Sequence, residues 1–322
     1  MSQPLVILCP GQGAQAVGMA RAWAGASPQA RATLDLADRV LAPRLGSSLT
    51  SICFDGPPDR LNRTDVSQPA IYAASVASWH GLLSTWAMTD TDARVLAAAG
   101  LSLGEYTALT IAGSLDFETG LELVALRGRA MQDAAEQTPG GMVALIGAEE
   151  SQARDLCAKA AGGQTLVCAN FNAPGQIVIS GDAGACARAA DLAPSMGLRA
   201  TPLAVAGAFH SPLMQPAADR LRQALASVDL RPPRAPVLSN VTGTPHEHPD
   251  HPERFARSVR DRLVEQLTSP VRWAENARWL AQHHGEGSAH PAEFHELAPG
   301  KTLAGLMRRT DKSVKVTTHD EP

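Results

Sequence analysis

The chain has 322 residues, 44% of them hydrophobic, which is enough apolar material for a sizeable core in one large domain or one domain with an insertion. Its formal net charge of −4 argues against nucleic acid as the main partner, because phosphate binding needs a basic surface. The N-terminal apolar run is too short for a signal peptide and no apolar segment reaches membrane length, so we expect no membrane partner.

The five cysteines are an odd number without C-x-x-C spacing, which predicts reduced, buried thiols. Cys9 and Cys168 lie in apolar, strand-like runs and fit a core role better than a reactive one. Together with the composition, this usage predicts a compact cytoplasmic protein.

The first predicted element is an apolar strand, residues 5–9, followed by the glycine-rich turn Gly11-Gln12-Gly13-Ala14-Gln15. Such a turn exposes backbone N–H groups that could stabilise an oxyanion. Together with Ala16, this turn satisfies the G-x-G-x-x-A form of a dinucleotide fingerprint, which needs an acidic residue ending a second strand about twenty residues later. Residues 30–40 are rich in Ala, Leu, Arg and Asp and predict a helix instead, which argues against a nicotinamide site.

The pentapeptide Gly100-Leu101-Ser102-Leu103-Gly104 follows the apolar run 95–99 and opens a helix-like stretch, 103–111. A strand, a sharp turn and a helix around G-x-S-x-G are typical of a nucleophile elbow, although the pattern alone also occurs by chance. Ser102 is therefore the candidate nucleophile. The amide of Leu103, at the helix start, is a candidate oxyanion-hole donor.

A serine hydroxyl needs a base, and His210 is the candidate among ten histidines. It follows the apolar stretch 198–205 and precedes a proline turn, a loop position where functional side chains concentrate. The other histidine clusters are His246, His248 and His251 in a loop rich in Pro and Asp, and His283, His284 and His290 in a polar loop. Flexible spacing and the lack of a nearby cysteine argue against a metal site in the first cluster.

Strands and helices alternate through residue 137, which predicts a parallel sheet flanked by helices. The pattern then changes to a β-α-β-β-α-β order, with elements at 142–146, 149–161, 166–170, 176–180, 183–196 and 198–205. We therefore predict an α/β fold with an α/β-hydrolase-like core, residues 1–137 and 207–322, and an inserted ferredoxin-like subdomain, residues 138–206. A ligand cleft is expected at their junction, and the polar tail from about residue 309 is expected to be frayed.

These segments resemble the malonyl-coenzyme A:acyl carrier protein transacylase family, an acyltransferase domain family, nearly end to end. The resembling segments are Gly11 to Gln15, Gly100 to Tyr106, Arg127-Gly128, Gly140 to Gly147, Ala169 to Gln176, Ala208 to Ser211, Ser239 to Gly243, Gln266-Leu267, Ser269 to Trp273, and Glu296 to Gly300 with Leu303. The resemblance implies the same two-lobed fold, a monomer, and malonyl-CoA and an acyl carrier protein as partners. No cofactor is implied, because the coenzyme A thioester is itself a substrate.

Position by position, the resemblance implies that Ser102 is acylated and that His210 is its base. Backbone amides of Gln12 and Leu103 would form the oxyanion hole. The backbone carbonyl of Gln266 would orient the histidine, which gives a dyad without a triad carboxylate.

The resemblance also makes Arg127 the residue that binds the free carboxylate of the malonyl group. A guanidinium suits this role because it offers two parallel donors, whereas lysine offers a point charge. Without the resemblance, Arg127 stands beside Arg129 and a solvated helix face would be the default interpretation. The Ala208-Phe209-His210 form resembles that of malonyl-using members, which makes Phe209 a substrate-binding candidate and favours a small acyl unit.

Two positions depart from the family pattern. Leu101 stands where many relatives have histidine, so a polar role of that side chain is absent here. Ala298 stands where glycine is usual before Pro299-Gly300, and a left-handed backbone there would be strained by the methyl group.

The sequence therefore predicts a ping-pong malonyltransferase. One alternative is an acyl-thioester hydrolase with the same Ser102 and His210, from which Arg127 would distinguish it, since neutral acyl chains need no buried cation. A non-catalytic carrier-binding module is a second alternative, and the complete set of nucleophile, base and donors argues against it.

Overall fold

A computed structural model describes residues 3–247 and 251–322. Eight strands lie in this part of the chain: β1 Leu5–Cys9, β2 Val95–Gly100, β3 Gly140–Ile146, β4 Leu166–Ala173, β5 Gln176–Asp182, β6 Arg199–Pro202, β7 Glu293–Leu297 and β8 Val316–His319. They form two four-stranded sheets.

Thirteen α-helices connect and cover the strands in the described ranges. They are α1 Arg21–Ala26, α2 Pro28–Leu45, α3 Leu49–Asp55, α4 Pro58–Leu61, α5 Thr64–Thr85, α6 Gly104–Ile111, α7 Phe117–Gln137, α8 Glu150–Ala161, α9 Ala183–Leu192, α10 Gln215–Leu225, α11 Pro252–Glu265, α12 Trp273–His284 and α13 Thr302–Thr310. None of these described helices is long and apolar enough to cross a membrane.

The parallel sheet has the strand order β2-β1-β7-β8, and every neighbouring pair is parallel. All five residues of β1 are buried, and alternate side chains enter different cores. Ile7 packs in a core with α5 and α7, whereas Leu8 packs in a second core with α12 and α13. A strand in a parallel sheet that is covered on both faces has apolar residues at nearly every position, which explains the sequence of β1.

The second sheet is antiparallel, with the order β4-β5-β3-β6. Helices α8 and α9 pack against it around a separate apolar core that includes Leu145, Leu156 and Ile179. This order and these two helices confirm the ferredoxin-like arrangement next to a parallel α/β core. The sheet runs from Gly140 to Pro202, inside the predicted subdomain 138–206, whose exact limits stay a prediction.

Several predicted elements differ in extent. Helix α9 ends at Leu192 and a short 3₁₀ helix, Ala193–Met196, follows, because Pro194 has no amide for a helical hydrogen bond. The predicted strand 198–205 is shortened to Arg199–Pro202, since a proline cannot donate to the ladder. His283 and His284 belong to the end of α12, so placing them in a loop was wrong.

The prediction of a frayed tail was also wrong. Residues Val316–His319 form β8, which pairs in parallel with β7 at the edge of the parallel sheet. The indole Nε1 of Trp23 donates to the carbonyl of His319 at 2.9 Å, and Val314 is buried in the second core. The strand is short and mostly polar, which is why its sequence gives no apolar signal.

Candidate active site

Ser102 stands at a strand-to-helix turn between β2 and α6, as the sequence predicts. Its φ of 52° is rare for a residue with a side chain, and such strain is typical of functional turns. A Cβ on Gly100 would lie 1.9 Å from the carbonyl carbon of Gly104, and one on Gly104 would lie 2.1 Å from the carbonyl oxygen of Cys9. Gly100 is therefore required for the tightness of the turn itself, and Gly104 for its close approach to β1.

His210 is brought to Ser102 across 108 residues of sequence. Its Nε2 lies 2.8 Å from the serine Oγ, and its Nδ1 lies 2.7 Å from the backbone carbonyl oxygen of Gln266. Because a carbonyl can only accept, Nδ1 carries the proton and Nε2 presents a lone pair to the hydroxyl. The imidazole is therefore oriented to take the serine proton, and a main-chain oxygen occupies the place of a triad carboxylate.

The charge state of His210 follows from its surroundings. Burial lowers its pKa from the ordinary 6.5 to about 4, and the neighbouring positive charge of Arg127 acts in the same direction. The Gln266 carbonyl opposes this shift only in part. The imidazole is therefore neutral near pH 7, which is the form that can act as a base.

Arg127 lies on α7 with only 1% of its surface exposed, so the default interpretation of a solvated helix face was wrong for it. Its Nη1 donates to Gln68 Oε1 at 2.7 Å, and its Nη2 donates to Ser102 Oγ and to Gln266 Oε1, each at 2.9 Å. These acceptors are all uncharged. A buried cation held by neutral groups is suited to receive an anionic substrate group.

Two backbone amides near Ser102 are candidate oxyanion donors. Leu103 precedes the first residue of α6, and Gln12 lies in the turn after β1 and lines the same cavity as the serine. In the described part of the chain, neither amide donates a hydrogen bond to another protein group. Both therefore have a free donor, as a developing oxyanion requires.

The cavity above Ser102 has a volume of about 260 Å³ and lies where the two sheets meet, as predicted. Gln12, Leu101, Phe209 and His210 line it on the side of the parallel sheet, and the antiparallel sheet contributes the residues Met142, Asn170, Asn172 and Val178. Arg127, Leu103 and Gln266 are buried directly behind this wall. The structure thus brings all seven site residues predicted from the sequence to one place.

Other residues hold the site but escaped the sequence analysis. Asn240 accepts the Ser102 amide at Oδ1 and donates from Nδ2 to the Gly100 carbonyl at 2.7 Å, which fixes both ends of the elbow. Gln68, on α5, carries the Arg127 contact described above. Asn240 lies in a segment that resembles the family, and this was the available signal. Gln68 had none.

The alternative sites find no support. Residues 30–40 lie within α2, and the strand after β1 begins only at Val95, so the dinucleotide fingerprint lacks its second strand. His246 is buried against Glu105, and His248 lies outside the described residues. No group of three or more metal-ligating side chains occurs among the described residues. The strain expected at Ala298 is absent, because the positive φ belongs to Gly300.

Comparison with known proteins decides the family. The family described as "Acyl transferase domain" matches residues 6–318, almost the whole chain. This chain belongs to the acyl transferase domain family. The serine–histidine pair described above is therefore the candidate active site of an acyltransferase.

Relatives within this family agree in both sequence and fold. The malonyl CoA-acyl carrier protein transacylase of Escherichia coli K12 is 37% identical over 314 residues, which cover 97% of this chain and 94% of the relative. A malonyl-CoA:acyl carrier protein transacylase structure from Xanthomonas oryzae is 40% identical, with a TM-score of 0.88 over 100% of this chain and 96% of the other. A type II polyketide acyl carrier protein in complex with its malonyl-transacylase gives 35% identity and a TM-score of 0.87, with coverages of 100% and 97%.

Proposed function

We propose that this acyltransferase moves a malonyl group from malonyl-CoA to the phosphopantetheine thiol of an acyl carrier protein, for fatty acid or polyketide synthesis. The observation that carries the proposal is Arg127, a buried guanidinium whose Nη2 lies 2.9 Å from the Ser102 hydroxyl. A carboxylate next to the thioester of the substrate is what such a cation would bind. The names of the relatives support the same reaction.

In the first half-reaction, Ser102 Oγ attacks the thioester carbonyl while its proton passes to Nε2 of His210. The resulting oxyanion accepts hydrogen bonds from the amides of Gln12 and Leu103. The carbon–sulfur bond then breaks, and the coenzyme A sulfur takes the proton from His210. The products are coenzyme A and a malonyl ester on Ser102.

The second half-reaction reverses these steps with a different thiol. The phosphopantetheine thiol gives its proton to His210 and attacks the malonyl ester, again with the oxyanion held by the two amides. Collapse of the intermediate breaks the ester bond, and His210 returns the proton to Ser102. Neutral His210 is needed at the start of both halves, and Gln266 keeps its Nδ1 proton in place.

Substrate choice is assigned to Arg127 and Phe209. Arg127 would pair with the malonyl carboxylate through its planar donors, and burial would strengthen this pairing. Phe209 is buried and lines the cavity beside the nucleophile. A cavity of about 260 Å³ limits the space and favours short acyl groups.

We assign the chain as a monomeric cytoplasmic enzyme. All the groups in the proposed mechanism come from one chain, so no second copy is needed to complete the site. The five cysteines are free and buried, which suits a reducing compartment.

The proposal is tested by intact-mass spectrometry of the pure protein mixed with malonyl-CoA, followed by addition of an acyl carrier protein that bears phosphopantetheine. The wild type should gain one malonyl group and pass it to the carrier, whereas Ser102→Ala should gain none. Release of free malonate at the rate of adduct loss, with no malonyl carrier formed, would instead identify a hydrolase. A wild-type protein that never forms an adduct would refute the covalent mechanism.

A further inference from the structure

We propose that Glu105 is a positioning residue for malonyl recognition: its carboxylate fixes the orientation of the Gln266 side-chain amide, which in turn presents its oxygen to Arg127. The inference rests on the function proposed above and deepens it. Glu105 lies on the first turn of α6, three residues after Ser102, and is fully buried.

Groups from two segments distant in sequence, residues 240–246 and Gln266, converge on the Glu105 carboxylate. Its Oε2 accepts from the Asn240 backbone N–H at 2.9 Å and from Gln266 Nε2 at 2.8 Å. Its Oε1 lies 2.8 Å from Nε2 of His246, another buried side chain. A buried carboxylate is costly unless its oxygens are hydrogen-bonded, and these contacts meet that requirement. The Glu105 side chain is therefore held in a fixed position next to the active-site residues.

The Gln266 amide lies between two groups of opposite hydrogen-bonding character. A carboxylate only accepts, whereas a guanidinium only donates. The Gln266 Nε2 faces Glu105 at 2.8 Å, and its Oε1 faces Nη2 of Arg127 at 2.9 Å. If the amide were flipped, its oxygen would face the Glu105 carboxylate, which is also an acceptor. Its NH₂ group would face the Arg127 guanidinium, which is also a donor. The Gln266 Nε2 also donates to the Ser102 carbonyl oxygen at 3.1 Å, so Glu105 supplies the shorter and charged one of the two contacts that set which atom of Gln266 meets Arg127.

This orientation matters because Arg127 has no carboxylate among its direct partners. The guanidinium is held by Gln68, Ser102 and Gln266, and its Nε has no partner in the described part of the chain. Burial lowers the pKa of Arg127, and the negative charge of Glu105 is one of the influences that oppose this. Through Gln266, Glu105 holds the guanidinium where a malonyl carboxylate can reach it.

Replacement of Glu105 by glutamine removes the charge and keeps the volume. Glutamine has no charge and only one acceptor oxygen, so the bond from Gln266 Nε2 is either lost or reduced from a charge-assisted to a neutral hydrogen bond. The Gln266 amide is then held less firmly, with the Ser102 carbonyl as its remaining unchanged acceptor, and its NH₂ group can turn towards Arg127 more often. Recognition of the malonyl carboxylate should suffer more than the reaction of an uncharged acyl group, which has no carboxylate to pair with Arg127.

The experiment measures kcat/KM for transfer from malonyl-CoA and from acetyl-CoA to the carrier protein. For Glu105→Gln, the malonyl-to-acetyl ratio should fall about tenfold, the range expected for one hydrogen bond to a charged group. Glu118→Gln is the matched control, since Glu118 is also in the first turn of a helix but is exposed, and its ratio should stay unchanged. An unchanged ratio in a folded Glu105→Gln protein would overturn the proposal.

A second variant separates positioning from a general structural role. Gln266→Leu removes the side-chain amide but keeps the backbone carbonyl that orients His210, so it should lower the same ratio. The double variant should lose no more than the worse single variant, because both act through one contact chain. Losses that multiply, or an unchanged ratio in Gln266→Leu, would overturn the role of Glu105. A wild type that fails to transfer malonyl would instead refute the proposed function.

Discussion

The guanidinium of Arg127 is hydrogen-bonded to the hydroxyl of Ser102, with 2.9 Å between Nη2 and Oγ. His210 Nε2 approaches the same oxygen to 2.8 Å. The hydroxyl can therefore donate its proton to the imidazole while it accepts from the arginine. This cation both stabilises negative charge on the serine oxygen and stands next to the position of the substrate carboxylate. Substrate recognition and nucleophile activation thus share one side chain.

Arg127→Ala should reduce kcat/KM for malonyl-CoA by about a hundredfold or more, because a charge-assisted hydrogen-bond pair at a buried site contributes about 3 kcal/mol or more. Transfer from acetyl-CoA should fall much less, since its acyl group carries no carboxylate. Steady-state assays with the two thioesters measure both effects.

Arg129→Ala is the control for this experiment. Arg129 lies two residues further along α7, is exposed, and pairs with Asp65 and Asp133 on the surface. Such pairs contribute about 0–1 kcal/mol, so malonyl transfer should be nearly unchanged. Equal losses on both thioesters in Arg127→Ala would contradict the assigned carboxylate-binding role.

The pH dependence of acylation should report the depressed pKa of His210. Burial and the Arg127 charge lower this pKa to about 4, so the neutral base persists well below the ordinary histidine range. Accordingly, kcat/KM should stay level from neutral pH down to about 5 and fall only near pH 4. The profile is best recorded with acetyl-CoA, whose acyl group does not titrate.

Arg127→Ala should move this acid limb to higher pH, because the variant removes one of the two influences that lower the His210 pKa. Arg129→Ala should leave the limb in place. A wild-type limb near pH 6.5 would show that the imidazole is more exposed to water in solution than its 4% exposure indicates.

The two glycines Gly104 and Gly305 both lie in helices but differ in their surroundings. A Cβ on Gly104 would meet the Cys9 carbonyl oxygen at 2.1 Å, whereas one on Gly305, in α13, meets nothing within 4 Å. Gly104→Ala should therefore destabilise the protein by about 3 kcal/mol or more. Gly305→Ala should stabilise it by about 0.5–1 kcal/mol through helix propensity. Urea unfolding curves test both, and similar values for the two variants would contradict the steric argument.

Elements with a strong local signal could be predicted from the sequence. The apolar run of β1 and the G-x-S-x-G turn predicted a strand, a turn and a helix close to their observed limits. Burial on both faces of a strand requires a continuous run of apolar residues, and a sterically tight turn requires glycine, so both features are visible in the sequence. The roles assigned to Ser102 and His210 came from motif and resemblance, and the structure places them in contact.

Contacts between distant segments could not be predicted in this way. The Arg127–Gln68 contact joins residues 59 positions apart, and the Ser102–Asn240 contact joins residues 138 positions apart. Nothing in the hydrophobic periodicity of α5 or α7 indicates a buried arginine. The same holds for the C-terminal strand β8. Its polar residues occupy a sheet edge, so their pairing depends on β7 rather than on their own pattern.

The C-terminal strand yields a final prediction on stability. Truncation after Asp311 would remove Val314 from its core, the Trp23 contact to the His319 carbonyl and the hydrogen bond from the Gly300 amide to Asp320 at 2.7 Å. A buried valine and these hydrogen bonds should together contribute at least about 3 kcal/mol, so the melting temperature should fall clearly. Truncation after Asp320 removes only exposed residues and should leave the melting temperature unchanged. If both truncated proteins melt like the full chain, β8 contributes nothing to the fold in solution.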